Sequence, residues 1–286
     1  MQINIFMFNH PPKILAHQSV LTDGNFVTPE YIINQSTDSI NLFNRFCPHR
    51  MYPLSKVGES LQNIVCKFHG FEWTQDGTPV NNDRKLNCGK AQVGKSGLIF
   101  KDFVEPDHQW VSDLAGETNL KFSHVRTGTS NGSWLWMMEI QADLLHIRKG
   151  EDVVHPSLAE ATNLDDVEMD QGDSWILQTC STGWWLFIYP FTFVEWSPGK
   201  IAVNYTTPNN ITDEFGFSWH TQYYFKSEVT DEERKTFEFF VEDVFHEDVE
   251  TIEQQKGSYF PLMKAVNRLE EHCVHFGQWV KANKAV

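Results

Sequence analysis

The chain has 286 residues, enough for two domains, and its 41% hydrophobic and 14% aromatic content, with 10 Trp and 22 Phe, excludes a disordered chain. Net charge is −15 and uneven: residues 1–120 hold 10 Lys+Arg against 12 Asp+Glu, whereas residues 121–286 hold 13 against 26. So acidic a second half argues against nucleic acid or an anionic membrane as partner, and the longest apolar run, Trp184 to Phe191, is too short to span a bilayer. Met1 to Lys13 shows no basic stretch leading into an apolar segment and no small-residue cleavage site. Cys88, Cys180 and Cys273 are lone and widely spaced, as reduced thiols are. The cytoplasm is the expected location.

Residues 1–115 read as short strands punctuated by turns, a small antiparallel β domain. Ile40-Asn41-Leu42-Phe43 leads into Cys47-Pro48-His49-Arg50, and Asn63-Ile64-Val65 leads into Cys66-Lys67-Phe68-His69-Gly70. Gln75-Asp76-Gly77-Thr78-Pro79 then marks a hairpin turn. Each ligand loop offers one thiolate and one imidazole, and 16 residues separate His49 from Cys66. A Rieske [2Fe–2S] centre needs that division, two Cys on one iron and two His on the other, which raises its potential to roughly −150 to +300 mV. Zinc is the competing ion, although zinc modules usually pair Cys in one arm and His in the other. Arg45, Arg50, Lys56 and Lys67 against Glu59 give this segment a basic rim. Such a rim either steers an acidic electron-transfer protein or is ordinary scattered surface charge.

Around Glu105 to Gly116 periodicity fades, which sets the expected boundary between a domain at 1–115 and a second domain at 116–286. Trp134 to about Ile147 reads as helix, followed by a polar loop around Gly150. Aromatic strands are predicted at Ser174–Ser181, Trp184–Phe193, Ile201–Thr207 and Phe217–Phe225. Ser197-Pro198-Gly199-Lys200 and Thr207-Pro208-Asn209-Asn210 supply turns. Thr230, followed by Asp231, Glu232 and Glu233, opens a helix expected to run to Lys256 and to end at Gly257. The fold class is α+β.

The acidic half also holds a second set of metal ligands. Asp143 and His146 lie three apart on the predicted helix and so share a face, which Glu139 joins; His155-Pro156 follows. On the long helix Val241, Val244, Phe245 and Ile252 form an apolar stripe. At ~100° per residue, Asp248 falls within that stripe, while Asp243, Glu247 and Glu250 fall opposite. A core-facing aspartate costs several kcal/mol, as an order of magnitude, unless it is paired or bound to metal. Two His and one carboxylate with open positions form the facial triad of non-haem Fe(II) oxygenases. Taken singly, each residue also has a plain reading as a hydrogen-bonded His, a salt-bridged Asp or a solvated acidic face. Trp184, Trp185, Phe187, Phe191 and Phe193 either line an apolar pocket or form core.

Together these motifs resemble the α subunit of a Rieske non-haem iron oxygenase, most similar to the α-only branch of vanillate and dicamba O-demethylases. Cys47, His49, Cys66 and His69 match the family's cluster motif. Ser133-Trp134-Leu135 and Glu139 to His146 resemble its N-W-K-x3-E-N-x2-D-x-x-H block, which implies that His146 is an iron ligand. The same match implies that Asp143 is the bridging carboxylate, hydrogen-bonded between His146 and a cluster His. His155-Pro156 resembles the second ligand. Glu247-Asp248 with Ile252-Glu253-Gln254-Gln255 and Gly257 resembles the E-D-x3-I-E-x-Q-x-G helix that supplies the third. Two features depart from the pattern: eight residues separate His146 from His155 where the family has four or five, and Ile140 replaces the block's Asn. The longer loop, Ile147 to Val154, is expected to bulge.

The resemblance implies an N-terminal Rieske domain and a helix-grip-like C-terminal domain of antiparallel sheet and helices. It further implies a [2Fe–2S] cluster, a mononuclear Fe(II) and a homotrimer in which each cluster serves its neighbour's iron. Activity would be O2-dependent hydroxylation or oxidative demethylation of a small, aromatic organic substrate. No flavin or nicotinamide fingerprint is present, so a ferredoxin or flavin reductase would donate the electrons. The stretched His–His spacing favours an alternative, a Rieske electron-transfer or redox-sensing protein without a working mononuclear iron. A zinc-stabilised binding module is the third reading.

Overall fold

The structure, a computed structural model, describes residues 13–36, 39–147, 153–209, 213–255 and 257–283. The expected loop at Gly150, most of the expected bulge, Asn210 and Lys256 lie outside the described residues. The chain divides into two compact units, Ile14–Val125 and a second made mainly of Arg126–Val286. The division falls inside a long strand, whereas the position read from composition, 115/116, coincides with the end of a short helix.

In the first unit β1 (Lys13–His17), β2 (Asn25–Val27), β3 (Tyr31–Gln35), β4 (Ile40–Asn44), β5 (Ser60–Leu61), β6 (Ile64–Val65), β7 (Glu72–Trp73), β8 (Cys88–Val93) and β9 (Leu98–Lys101) precede helix α1 (Gln109–Ala115). Seven strands form one sheet in the order β1-β9-β8-β4-β3-β2-β5, and β6 pairs with β7 in a small hairpin. The turn at 75–79 forms as expected: Gly77 holds φ +79° with the Phe43 ring packed beneath it, where a side chain would collide. Val27, Ile32, Phe43, Leu54, Ile64, Trp73 and Leu86 are buried together, and the two motif cysteines belong to the same apolar cluster.

The second unit is built on β10 (Lys121–Ser133), α2 (Trp134–Ile140), α3 (Pro156–Ala161), β11 (Glu168–Gly172), β12 (Trp175–Cys180), β13 (Gly183–Ile188), β14 (Thr192–Ser197), β15 (Lys200–Pro208), β16 (Phe215–Phe225), α4 (Asp231–Gln254) and α5 (Glu271–Asn283). Its seven-stranded antiparallel sheet runs β10-β16-β15-β14-β13-β12-β11. Side chains of α2, α4 and α5, among them Trp134, Met137, Ile252 and Phe276, share one apolar cluster with the sheet's Phe187, Tyr205 and Phe217. The fold class is α+β, as read from the sequence.

Three boundaries differ from the sequence reading. The expected strand Trp184–Phe193 is two strands, because Pro190 has no N–H for a ladder and the chain reverses there into β14. The expected helix to Ile147 stops at Ile140. Beyond it Ala142 and Asp143 donate to carbonyls three residues back, and Asp143 Oδ1 accepts the Leu145 N–H at 2.7 Å, so a side chain replaces the helical bond. Helix α4 opens at Thr230 with a complete capping box to Glu233 and ends at Gln254, short of Gly257. Among the described residues no helix is long and apolar enough to cross a membrane.

Candidate functional site

Two ligand loops project from the first unit, and they share one backbone frame. The Cys47 N–H donates to Tyr52 O and the Met51 N–H to Cys47 O, both at 2.9 Å; the Cys66 N–H donates to Phe71 O and the Gly70 N–H to Cys66 O, both at 2.8 Å. Met51 and Gly70, each four residues after its cysteine, hold positive φ of 54° and 71°. Within these equal frames the His sits two residues after Cys47 but three after Cys66. Both sulfurs are buried, and the two imidazoles meet at the rim with Nδ1 atoms 3.2 Å apart. Burial pushes the Cys47 thiol up, with the neighbouring Cys66 thiol adding to the rise. Burial also lowers His49, and the nearby His69, Arg50 and Arg84 act in the same direction. Two buried thiols and two neighbouring imidazoles, one of each from either loop, are the donor set of a two-iron, two-sulfide cluster.

Both loops lie in a segment that matches a known family. Residues 14–91 match the Rieske [2Fe-2S] domain. Cys47, His49, Cys66 and His69 all lie within this Rieske domain. Its rim is exposed and partly apolar: Met51, Tyr52 and Phe68 surround the histidines, and Tyr52 stacks on Phe68 at 5.5 Å. Arg50, Lys56 and Lys67 are exposed there. Arg45 is not part of this rim, since its guanidinium donates to Pro29 O at 2.7 Å and Ser55 O at 3.1 Å and braces the loop instead.

The second unit gathers His146, His155 and Asp248, whose ligand atoms all lie within 4.8 Å of one another. Three separate elements deliver them. His146 sits in the turns after α2; His155 is the N-cap residue of α3, with Pro156 at the first helical position; Asp248 lies on α4. Asp248 is 4% exposed among Phe245, Val249 and Ile252, as the apolar stripe requires, and His155 is 0% exposed. His155 Nε2 and His146 Nε2 lie 2.8 Å and 3.4 Å from Asp248 Oδ1. Burial opposes the charge of Asp248, but hydrogen bonds from His146 and His155 outweigh it and hold the carboxyl below its ordinary value. Burial likewise opposes the charge on His155, and Asp248 with Glu247 overcomes it and lifts the imidazole above its usual range. Two imidazole nitrogens and a buried carboxylate oxygen around one point fit a divalent metal with open positions.

Asp143 lies beside the triad. Its Oδ2 is 4.0 Å from His146 Nδ1, too far for a hydrogen bond, and that nitrogen is buried with no hydrogen-bond partner. Glu139, placed by helical spacing on the same face, turns inward: it is buried and accepts from Tyr259 Oη at 2.6 Å. The largest departure is Glu247, expected on the solvated face of α4. It reaches His155 instead, with Oε2 2.6 Å from Nδ1. Nothing local signals this bond, because the partners are 92 residues apart.

A cavity of about 70 Å³ opens on the triad and is lined by His146, Asp248, Trp185, Phe193 and Phe245. Of the aromatic residues singled out in the sequence, Trp185 and Phe193 line it. Phe187 and Phe191 are core, and Trp184 stacks on Trp196 at 5.4 Å. Gln141 and Glu195 also line the cavity, and sequence reasoning missed both. Both side-chain polar atoms of Gln141 are buried without a partner.

No curated protein matches the chain by sequence. Solved structures match its fold over nearly its whole length. The quaternary ammonium Rieske monooxygenase CntA, in complex with the inhibitor MMV12, is 18% identical with a TM-score of 0.72, covering 96% of this chain and 88% of that one. CntA with L-carnitine gives 0.69 at the same identity, covering 96% and 89%. NdmA of Pseudomonas putida CBB5 is 15% identical with a TM-score of 0.55, covering 96% and 90%. The chain therefore has the two-part fold of these Rieske monooxygenases.

Proposed function

We propose that this chain is the α subunit of a Rieske non-haem iron oxygenase, with Cys47, His49, Cys66 and His69 holding the [2Fe–2S] cluster and His146, His155 and Asp248 holding a mononuclear Fe(II). The observation that carries the proposal is the convergence of that triad, from three distant segments, beside an aromatic cavity in a chain that also has a Rieske domain. Bound in these sites, the two metal groups would supply single electrons and the activation of O2.

The chain's own residues define the rest. Glu247 accepts the Nδ1–H of His155, which fixes the tautomer and leaves Nε2 directed at the metal position. Asp143 is assigned the place between the two centres, beside His146 Nδ1, where closing the 4.0 Å gap would orient that ring in the same way. Trp185, Phe193 and Phe245 exclude water from the reacting end of the cavity, and the unpartnered Gln141 amide offers a hydrogen-bond donor and acceptor to a substrate. The proposed reaction is O2-dependent hydroxylation or oxidative demethylation of a small organic molecule, and the aromatic walls suit an aromatic or N-methylated substrate. Relatives in fold have been captured with L-carnitine and with caffeine. The exposed rim of His49, His69, Met51, Tyr52 and Phe68, with Arg50 and Lys67, supports docking of a ferredoxin or flavin reductase. We assign a homotrimer and a cytoplasmic location on the same family pattern.

Metal analysis tests this directly. The purified protein should contain about three irons per chain, one of them at the triad. Asp248→Ala should lose the mononuclear iron and O2 uptake while keeping the brown colour of the cluster. Two irons in both proteins would favour the electron-transfer reading instead. A colourless zinc protein would refute both.

A further inference from the structure

A carboxylate stands in the approach to the triad without a counter-ion. Glu195 belongs to β14, and strand alternation places it on the same face as Phe193. Its cross-strand neighbours are Trp185 and Ala202. Trp185 donates a hydrogen bond to it, and among the described residues no Lys, Arg or His forms an ion pair with it. It is half-buried and lines the cavity. That burial raises its carboxyl to about 7, with the Trp185 hydrogen bond the opposing influence.

Position gives this charge its meaning. The cavity at the triad adjoins an outer vestibule of about 710 Å³. Leu158, Trp185, Glu195 and Phe240 line both spaces, so they form the throat between solvent and the metal position. The vestibule is itself acidic, with Asp166, Glu232 and Glu233 against Lys200. A neutral substrate passing this throat would leave a partly desolvated carboxylate without a counter-charge, which is unfavourable. A cation there would meet the carboxylate and two aromatic side chains, Trp185 and Phe240, a residue class whose rings attract positive charge.

We propose that Glu195 is the specificity-determining residue of this pocket and that the substrate carries a cationic nitrogen, an ammonium or methylated ammonium group. The nitrogen is held between the Glu195 carboxylate and the rings of Trp185 and Phe240, while the remainder of the molecule extends to His146 and Asp248. The proposal rests on the oxygenase reading only for what happens at the triad; recognition of the cation stands on the throat alone.

The test compares choline with its neutral carbon isostere 3,3-dimethylbutan-1-ol, by calorimetric titration of the iron-loaded full chain at pH 8. Wild-type protein should bind choline roughly tenfold or more tightly than the isostere. Glu195→Gln, which keeps the size and removes the charge, should lose that preference, and Glu195→Asp should retain part of it. If Glu195→Gln fails to fold, loss of the preference in Phe240→Leu supplies the second arm. Equal binding of the two probes by wild type, no binding of choline at millimolar concentration, or an unchanged preference in Glu195→Gln would overturn the proposal. Iron content and O2 uptake on the same samples separate its failure from that of the oxygenase reading: a three-iron, O2-consuming protein indifferent to charge refutes only the cation, whereas a two-iron protein that prefers choline refutes only the oxygenase.

Discussion

Replacing Glu247 by Leu removes the acceptor that fixes His155 without touching a proposed ligand. The bond is 2.6 Å long and involves an ionisable partner, the class of hydrogen bond worth roughly 1.5–3 kcal/mol. Glu247 is 32% exposed, so water replaces part of what is lost. The net effect should therefore fall in the lower half of that range, an approximately 13-fold to 45-fold weaker grip on the mononuclear metal, within the ~10–100-fold span known for such outer partners. A second consequence is tautomeric. Without an acceptor at Nδ1 the ring is free to carry its proton on Nε2, the atom beside Asp248. Glu247→Gln, which can still accept, should show a smaller loss, and Glu250→Gln, on the exposed face of α4, should show none. The assay is retention of the triad metal against a graded chelator, with the visible spectrum of the cluster as internal control. Wild-type retention by Glu247→Leu would refute the assignment of Glu247 as the orienting group.

Other substitutions test the remaining parts. Cys47→Ser or His69→Ala should abolish the brown colour and the EPR signal of the reduced cluster, since each removes one of four donors. Asp143→Asn should keep both metals and normal reduction of the cluster by dithionite, yet lose turnover by roughly 10–100-fold because His146 is no longer oriented by a charge; retained activity would make Asp143 an ordinary surface carboxylate, and lost iron would make it a ligand. Glu139 is buried, and burial, opposed by the Tyr259 hydrogen bond, raises its carboxyl to about 7. Between the ordinary carboxyl range and pH 7 the folded chain holds a proton that the unfolded chain has released, so this group lowers stability as pH rises through that window, by up to roughly 3 kcal/mol. Glu139→Gln should accordingly raise the melting temperature more at pH 8 than at pH 5.5, and an equal shift at both would contradict the burial argument.

The cluster motif was legible because its four donors lie in two short loops whose spacing is itself the signal. Asp248 was legible for a different reason: a charge inside an apolar stripe has to be explained by a partner, and the helix period shows which acid points inward. His155 stood out through Pro156, which also starts α3. The rest depended on contacts that no local period encodes. Glu247 lies on the flank of α4 and becomes a partner of His155 only through tertiary packing. Glu195 looks like one acid in an aromatic strand until the register sets it beside Trp185. The 13-residue strand β10 is largely polar and glycine-containing, so alternation did not reveal it. The end of α2 at Ile140 was hidden because Asp143 competes for backbone with its own side chain.

The shared frame of the two ligand loops bears on how the Rieske domain is assembled. Each loop is closed by its own pair of backbone hydrogen bonds, and both cysteines are packed among Phe43, Leu54, Ile64 and Trp73. In a zinc finger the metal supplies the folding free energy, and chelation unfolds the chain. Here each loop also has backbone bonds and apolar packing of its own, so loss of the cluster and global unfolding should be separable events. Within two loops of equal backbone frame, the one-residue offset of histidine is the difference in donor spacing that sets the two arms apart.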